Sequence, residues 1–188
     1  SETSEKLIKY LINNQHWSPL EMVNVCLEIE TTRDIARQIL RHRSFSFQEF
    51  SQRYANPTKD MEFVTREARL QDDKNRQNSI DIEDSKLQEE WNIKQQKVID
   101  EALKSYQWAI EKGIAKEQAR VVLPEGNTKS RLYMNGTLRS WIHYIELRAS
   151  NGTQKEHRDI ALLVKDHFTC QFPIIAEALG WCPEEDDE

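Results

Sequence analysis

The chain has 188 residues, 38% of them hydrophobic and 31% charged, with a formal net charge of −6. That length can bury a core and sets a single domain, 1–188, as the default. The acidic balance argues against a general nucleic-acid surface, and no apolar run approaches a membrane span. Nothing at the start reads as a signal peptide, so a cytoplasmic protein without membrane or nucleic-acid partners is expected. Cys26, Cys170 and Cys182 lack metal-ligand spacing and read as reduced, mostly buried thiols; no metal site is expected.

In chain order, residues 5–14 read as an amphipathic helix with Leu7, Leu11 and Ile12 on its apolar side. After the break at Pro19, MVNVCLEIET alternates like a strand through Val23, Val25, Leu27 and Ile29. TTRDIARQILRH is predicted to be a helix of about three turns, capped by Thr31 or Thr32, with Ile35, Ile39 and Leu40 inward. Tyr54-Ala-Asn-Pro reads as a turn, FVTREARLQ as a short strand, and 72–86 as the least structured part. A long helix from Leu87 to about Lys112 is expected to bury Leu87, Trp91, Val98, Ala102, Ala109 and Ile110, with Gly113 stopping it. IAKEQARVVLP follows as a short helix, and EGNTKSRLYMNGT as turns around a short strand. Residues 137–148 form another helix on Leu138, Trp141, Ile142 and Ile145. Thr153 and Glu156 suggest a capping box for the next, whose core side is Ile160, Ala161, Val164 and Phe168. The pattern is that of an α+β domain with a solvated acidic tail at about 183–188.

Polar residues gather in a few stretches. Arg41-His42-Arg43 ends a helix, where cations gain from the helix dipole, so charge alone explains half of such clusters. The following SFSFQEFSQR would turn Phe45, Phe47 and Ser51 to one side and Ser44, Ser46 and Gln48 to the other. Glu49 reads either as a charge balancer or as an acceptor for a ligand hydroxyl. Ser51 beside Arg53 suits phosphate binding better than nucleophilic attack, because no base accompanies it. Arg139, His143 and Glu146 form a polar stripe that an exposed helix face also explains. Arg120 enters an apolar segment and needs an anionic partner if half-buried. His16-Trp17-Ser18-Pro19 fits a cofactor contact and a self-satisfied turn equally well. With no glycine-rich phosphate loop, the residues favour a planar phosphorylated anion held by side chains and helix ends.

The stretch RHRSFSFQEFS is Arg-His-Arg, seven residues and a serine, and it continues into Gln52-Arg53-Tyr54. Together with HWSPLE at 16–21, ARVVLP at 119–124, LRSWIHYIELR at 138–148 and TQKEHRDIA at 153–161, it resembles the flavin-dependent thymidylate synthases, the ThyX family. The resemblance covers about residues 5–170. It implies a subunit with an antiparallel sheet and long helices, assembled as a homotetramer with shared active sites. It implies a methyltransferase-class enzyme making dTMP from dUMP without a covalent enzyme nucleophile. The one-carbon donor would be 5,10-methylenetetrahydrofolate, and the hydride source FAD reduced by NADPH.

By the same resemblance, His16, Ser18, Arg41, His42, Arg43, Glu49, Arg139 and His143 would hold the flavin. Gln38, Glu49, Ser51, Arg53, Arg120 and Arg148 would surround dUMP, with Ser51, Arg53 and Arg148 closest to the chemistry. Arg148 would polarise a pyrimidine carbonyl as charge develops. Members of the family carry a strand with an alanine-arginine-valine-serine-like segment before the first helix, and that strand is expected to belong to a longer protein. Met22 stands where many members place a histidine, a change in packing more than in chemistry. The rival reading is a nucleotide-binding or single-stranded nucleic-acid-binding module without catalysis.

Overall fold

The computed structural model describes residues 2–53 and 62–182, so the expected turn at Tyr54 and the acidic tail lie outside the described residues. Two compact units emerge: a central one, Leu27–Met134, and a terminal one made of Ser1–Cys26 with Asn135–Glu188.

The central unit is built on a three-stranded sheet in the order β1 (Asn24–Thr32), β5 (Lys129–Thr137), β2 (Ser46–Glu49). Strand β5 forms because Ser130, Leu132 and Met134 alternate inward with exposed Lys129, Arg131 and Tyr133. Arg131 bonds Glu30 at 2.8 Å and the Tyr133 hydroxyl bonds Glu28 at 2.5 Å. Each step forward on β5 is thus a step back on β1, which makes that pair antiparallel. The reading of EGNTKSRLYMNGT as a short strand therefore becomes a nine-residue central strand.

Helix α2 (Arg33–Ile39) is two turns rather than three. Ile35, Ala36 and Ile39 are fully buried beneath it. Thr32 occupies the N-cap without a side-chain cap bond. Its hydroxyl instead donates to Asp34 Oδ1 at 2.6 Å and accepts from Arg66 Nη2 at 2.6 Å.

The polar stretch 72–86 holds structure that hydropathy does not announce. Strand β3 (Arg69–Gln71) pairs antiparallel with β4 (Ser79–Asp81), joined by a turn in which Asp72 accepts from the backbones of Lys74 and Asn75. Helix α3 (Ser85–Glu111) starts on Asp84, which accepts from the amides of Lys86 and Leu87. Its buried stripe is Gln95, Ile99, Ala102, Tyr106 and Ala109. Leu87, Trp91 and Val98, expected inward, are exposed, because the period that faces the unit begins at polar Gln95. Gly113 ends the helix in the left-handed region (φ 77°), as expected. Helix α4 (Lys116–Ala119) and a 3-10 turn (Arg120–Val122) close the unit against α3.

In the terminal unit α1 (Glu2–Asn13) packs on α7 (Pro173–Ala178), and Lys9 pairs with Glu177 at 2.6 Å. Helix α5 (Leu138–Arg148) packs on α6 (Lys155–Gln171) through Trp141 and Phe168, ring centroids 5.6 Å apart. Of the expected inward residues, Leu138, Trp141, Ile142, Ile145, Ala161, Val164 and Phe168 are buried and Ile160 is half-buried. Helix α6 starts one residue after the expected box, with Gln154 as N-cap and no side-chain cap bond. Tyr144 and His157 are also buried, and the Tyr144 hydroxyl lies 3.0 Å from His157 Nε2. Burial pushes the Tyr144 phenol well above its usual pKa. Leu7, expected on the apolar side of α1, is exposed.

Cys26, Cys170 and Cys182 are free, but they are exposed rather than buried: the first two fall on the outward side of β1 and α6, and Cys182 follows the last helix. Among the described residues no cluster fits a metal ion, and no helix is long and apolar enough to cross a membrane.

Candidate active site

The residues singled out from sequence fall in two groups, one in each unit. In the central unit, α2 delivers Gln38 and then Arg41-His42-Arg43 at its C-terminal end. The His42 ring packs edge-on against Phe45 at 6.5 Å, and Phe45 is buried, so the aromatic side chain anchors the loop as expected. Phe47 lies 6.2 Å from Phe45 and is half-buried, whereas Phe50 is exposed because it falls on the opposite side of the strand. Arg41 and Arg43 are exposed, and neither has a carboxylate partner among the described residues. Two cations without counter-ions beside an ordered loop are suited to an anionic ligand.

Glu49 ends β2 with 21% of its side chain exposed. The cations of its own motif are Arg41, Arg43 and Arg53. Its described partners come from elsewhere: Arg33 Nη1 at 3.3 Å and the Ser130 hydroxyl at 2.8 Å, both donating to Oε1. The Arg33 side chain is 13% exposed and also reaches toward Glu125, its Nε 3.5 Å from Oε1. That approach supplies charge attraction but lacks hydrogen-bond alignment, which leaves the buried Nε without an acceptor. Glu125 itself is held by Arg37 through two hydrogen bonds, and these keep its carboxyl below the usual range. Asp34 is likewise lowered: burial raises it, but the bonds from Arg66 and Thr32 and the Arg66 charge outweigh that.

The Ser51-Gln52-Arg53 turn follows. Ser51 Oγ accepts the Arg53 backbone N–H at 3.3 Å. Arg53 Nη2 meets Glu117 Oε2 at 3.3 Å, and Arg120 Nε donates to the Glu117 carbonyl at 3.3 Å. Sequence-distant Arg53 and Arg120 therefore converge on one residue. Arg53 takes the Glu117 carboxylate while Arg120 meets only its neutral backbone carbonyl, so a positive charge remains for a ligand. Gln52, not singled out from sequence as a site residue, is only 7% exposed, and its Nε2 is buried without an acceptor among the described residues. Its position between two suspected phosphate donors was the available signal.

In the terminal unit, His16 is exposed and its ring meets Tyr10 edge-on at 5.8 Å. Ser18 opens the 3-10 helix Ser18–Met22, and Trp17 stands 5.0 Å from the His143 ring. Arg139 is paired with Glu21 at 2.7 Å, so the 3-10 helix and α5 present His16, Trp17, Glu21, Arg139 and His143 together. Arg148 lies one turn beyond Tyr144 on α5, half-buried, and its charge reaches the Tyr144 hydroxyl.

A model of the family described as "Thymidylate synthase complementing protein" (Thy1) matches residues 1–174. The chain is 50% identical over 181 residues to a protein named "Probable flavin-dependent thymidylate synthase" from Paramecium bursaria Chlorella virus 1, covering 96% of this chain and 82% of that one. It is 53% identical over 176 residues to the flavin-dependent thymidylate synthase of Synechocystis, covering 94% and 80%. The match to the enzyme of Kosmotoga olearia is 32% over 177 residues, covering 94% and 76%. On the strength of that identity and coverage, this chain belongs to the Thy1 family, the flavin-dependent thymidylate synthases.

Proposed function

We propose that the protein converts dUMP to dTMP, taking a methylene group from 5,10-methylenetetrahydrofolate and a hydride that originates in NADPH. The gathering of Ser51, Arg53 and Arg120 at Glu117 carries this reading: Ser51 Oγ accepts the Arg53 N–H, Arg53 Nη2 meets the Glu117 carboxylate, and Arg120 Nε donates to the Glu117 backbone carbonyl. Such a donor-rich, cation-excess turn suits a nucleotide phosphate. FAD, when bound, supplies the hydride chemistry. Arg41 and Arg43, without acidic partners among the described residues, fit its pyrophosphate, and the ring faces of His16, Trp17 and His143 fit a planar heterocycle.

In this reading Arg41, His42, Arg43 and Glu49 with His16, Ser18, Arg139 and His143 hold the flavin. Gln38, Glu49, Ser51, Arg53, Arg120 and Arg148 hold dUMP. Arg148 donates to a pyrimidine carbonyl oxygen and stabilises the negative charge that grows there as C5 becomes nucleophilic. Ser51 donates to the phosphate and forms no bond to the ring. The chain works as a homotetramer whose sites draw residues from more than one copy.

Absorbance spectroscopy tests the reading. The purified protein loaded with FAD should show a flavin spectrum, bleach with NADPH, and recover in the presence of dUMP and methylenetetrahydrofolate with dTMP as product. A protein that binds no FAD, or reoxidises without forming dTMP, refutes it.

A further inference from the structure

Glu49 is held from one side only. Both of its described partners, Arg33 Nη1 at 3.3 Å and Ser130 Oγ at 2.8 Å, donate to Oε1, while Oε2 receives neither. The two donors come from distant parts of the chain, the first residue of α2 and the second residue of β5. Ser130 is buried and Arg33 nearly so. A carboxylate that served only to neutralise Arg33 would gain most from a bidentate pairing, with both oxygens on the guanidinium fork. Here one oxygen takes both donors. That fixes the carboxylate plane and leaves the lone pairs of the second oxygen for another donor.

We propose that Arg33 and Ser130 are positioning residues that hold Glu49 so that its Oε2 accepts a hydrogen bond from an O–H or N–H of the bound nucleotide. The inference rests on the assignment of dUMP to this site. Neither residue touches the ligand. They act by fixing the rotamer of Glu49 before binding, so their loss returns the ordering cost to the binding step. Ser130 is the cleaner of the two, since Arg33 also answers Glu125.

The test is a double-mutant cycle on the FAD-loaded protein, read by the calorimetric Kd for dUMP and by kcat and KM. Ser130→Ala should weaken dUMP binding about tenfold, the equivalent of one hydrogen-bonded alignment. kcat should stay within about threefold, because the ordering cost falls on binding rather than on the chemical step. Ser130→Thr, which keeps the hydroxyl, should restore the affinity, and Arg33→Lys should fall between. In a Glu49→Gln background Ser130→Ala should change Kd by less than about twofold, because its only route to the ligand is already gone. Equal losses from Ser130→Ala in both backgrounds, or a fall in melting temperature with unchanged Kd, overturn the proposal. An unaltered protein that does not bind dUMP overturns this proposal together with the function it rests on, whereas binding with additive losses overturns the positioning role alone.

Discussion

Gln52 carries a buried amide donor with no acceptor among the described residues, flanked by Ser51 and Arg53. Such a group is destabilising in the free protein by about 1–3 kcal/mol, the cost of desolvating a donor that finds no partner. It becomes favourable only when a ligand supplies an oxygen. Gln52→Met keeps the volume and removes the donor. The unliganded protein should therefore melt about 2–4 °C higher, while the rise in melting temperature caused by dUMP shrinks. Differential scanning calorimetry with and without dUMP reads both, and a lower melting point of the unliganded variant would show that Gln52 is structural. Composition and spacing pointed to Ser51 and Arg53 because their chemistry is recognisable in isolation. For Gln52 the sequence offers only its place between those two residues: glutamine is common on surfaces, and burial is what distinguishes this one.

At the level of elements, helix α3 grips the neighbouring extended chain with side-chain amides. Gln95 Nε2 donates to the Arg66 carbonyl and Gln95 Oε1 accepts the Arg66 N–H, both at 2.8 Å. One heptad earlier, Gln88 does the same for Ala68, at 2.8 and 2.7 Å. Asn127 adds a bond to the Val64 carbonyl at 2.9 Å. Backbone groups at 64, 66 and 68 are thereby paired as if by a neighbouring strand, although no strand lies there. The segment in turn delivers the Arg66 guanidinium to Asp34 and Thr32 at the start of α2.

Gln95→Leu strands the amide and the carbonyl of Arg66 in a buried place, so it should cost about 2–4 kcal/mol in urea unfolding. Gln88→Leu, at a half-buried position, should cost less than half of that. Equal, negligible effects would show that the segment is held by packing alone. This ladder explains why the apolar stripe read from the sequence of α3 was displaced. Leu87, Trp91 and Val98 have the right spacing, but the face turned inward is the one bearing Gln95, Ile99, Ala102, Tyr106 and Ala109. A periodicity rule counts apolar residues and so misses a face whose contact with the unit starts with amides.

For the whole molecule, the central unit leaves Trp108, Ile114, Val121 and Val122 around an open apolar groove, with Val121 83% exposed. Apolar surface of this kind supports the proposed assembly, because each chain gains by covering it. Sedimentation equilibrium should give four times the subunit mass, and Val121→Glu with Val122→Glu should shift the distribution toward smaller species. A monomer that retains full dTMP synthesis would sink the tetramer.

The sequence by itself determined the α+β class, most of the inward faces of α5 and α6, the stop at Gly113 and the clustering of positive charge at Arg41-His42-Arg43. All of these depend on local periodicity, backbone preference or side-chain chemistry. The tertiary structure decided which of the many arginines are available. Arg33, Arg37 and Arg66 are answered by Glu49, Glu125 and Asp34, carboxylates 16, 88 and 32 residues away along the chain, whereas Arg41 and Arg43 meet none among the described residues. Coulomb attraction acts over a few ångströms of space, so the chain order that names a charged residue does not say whether its charge is already neutralised.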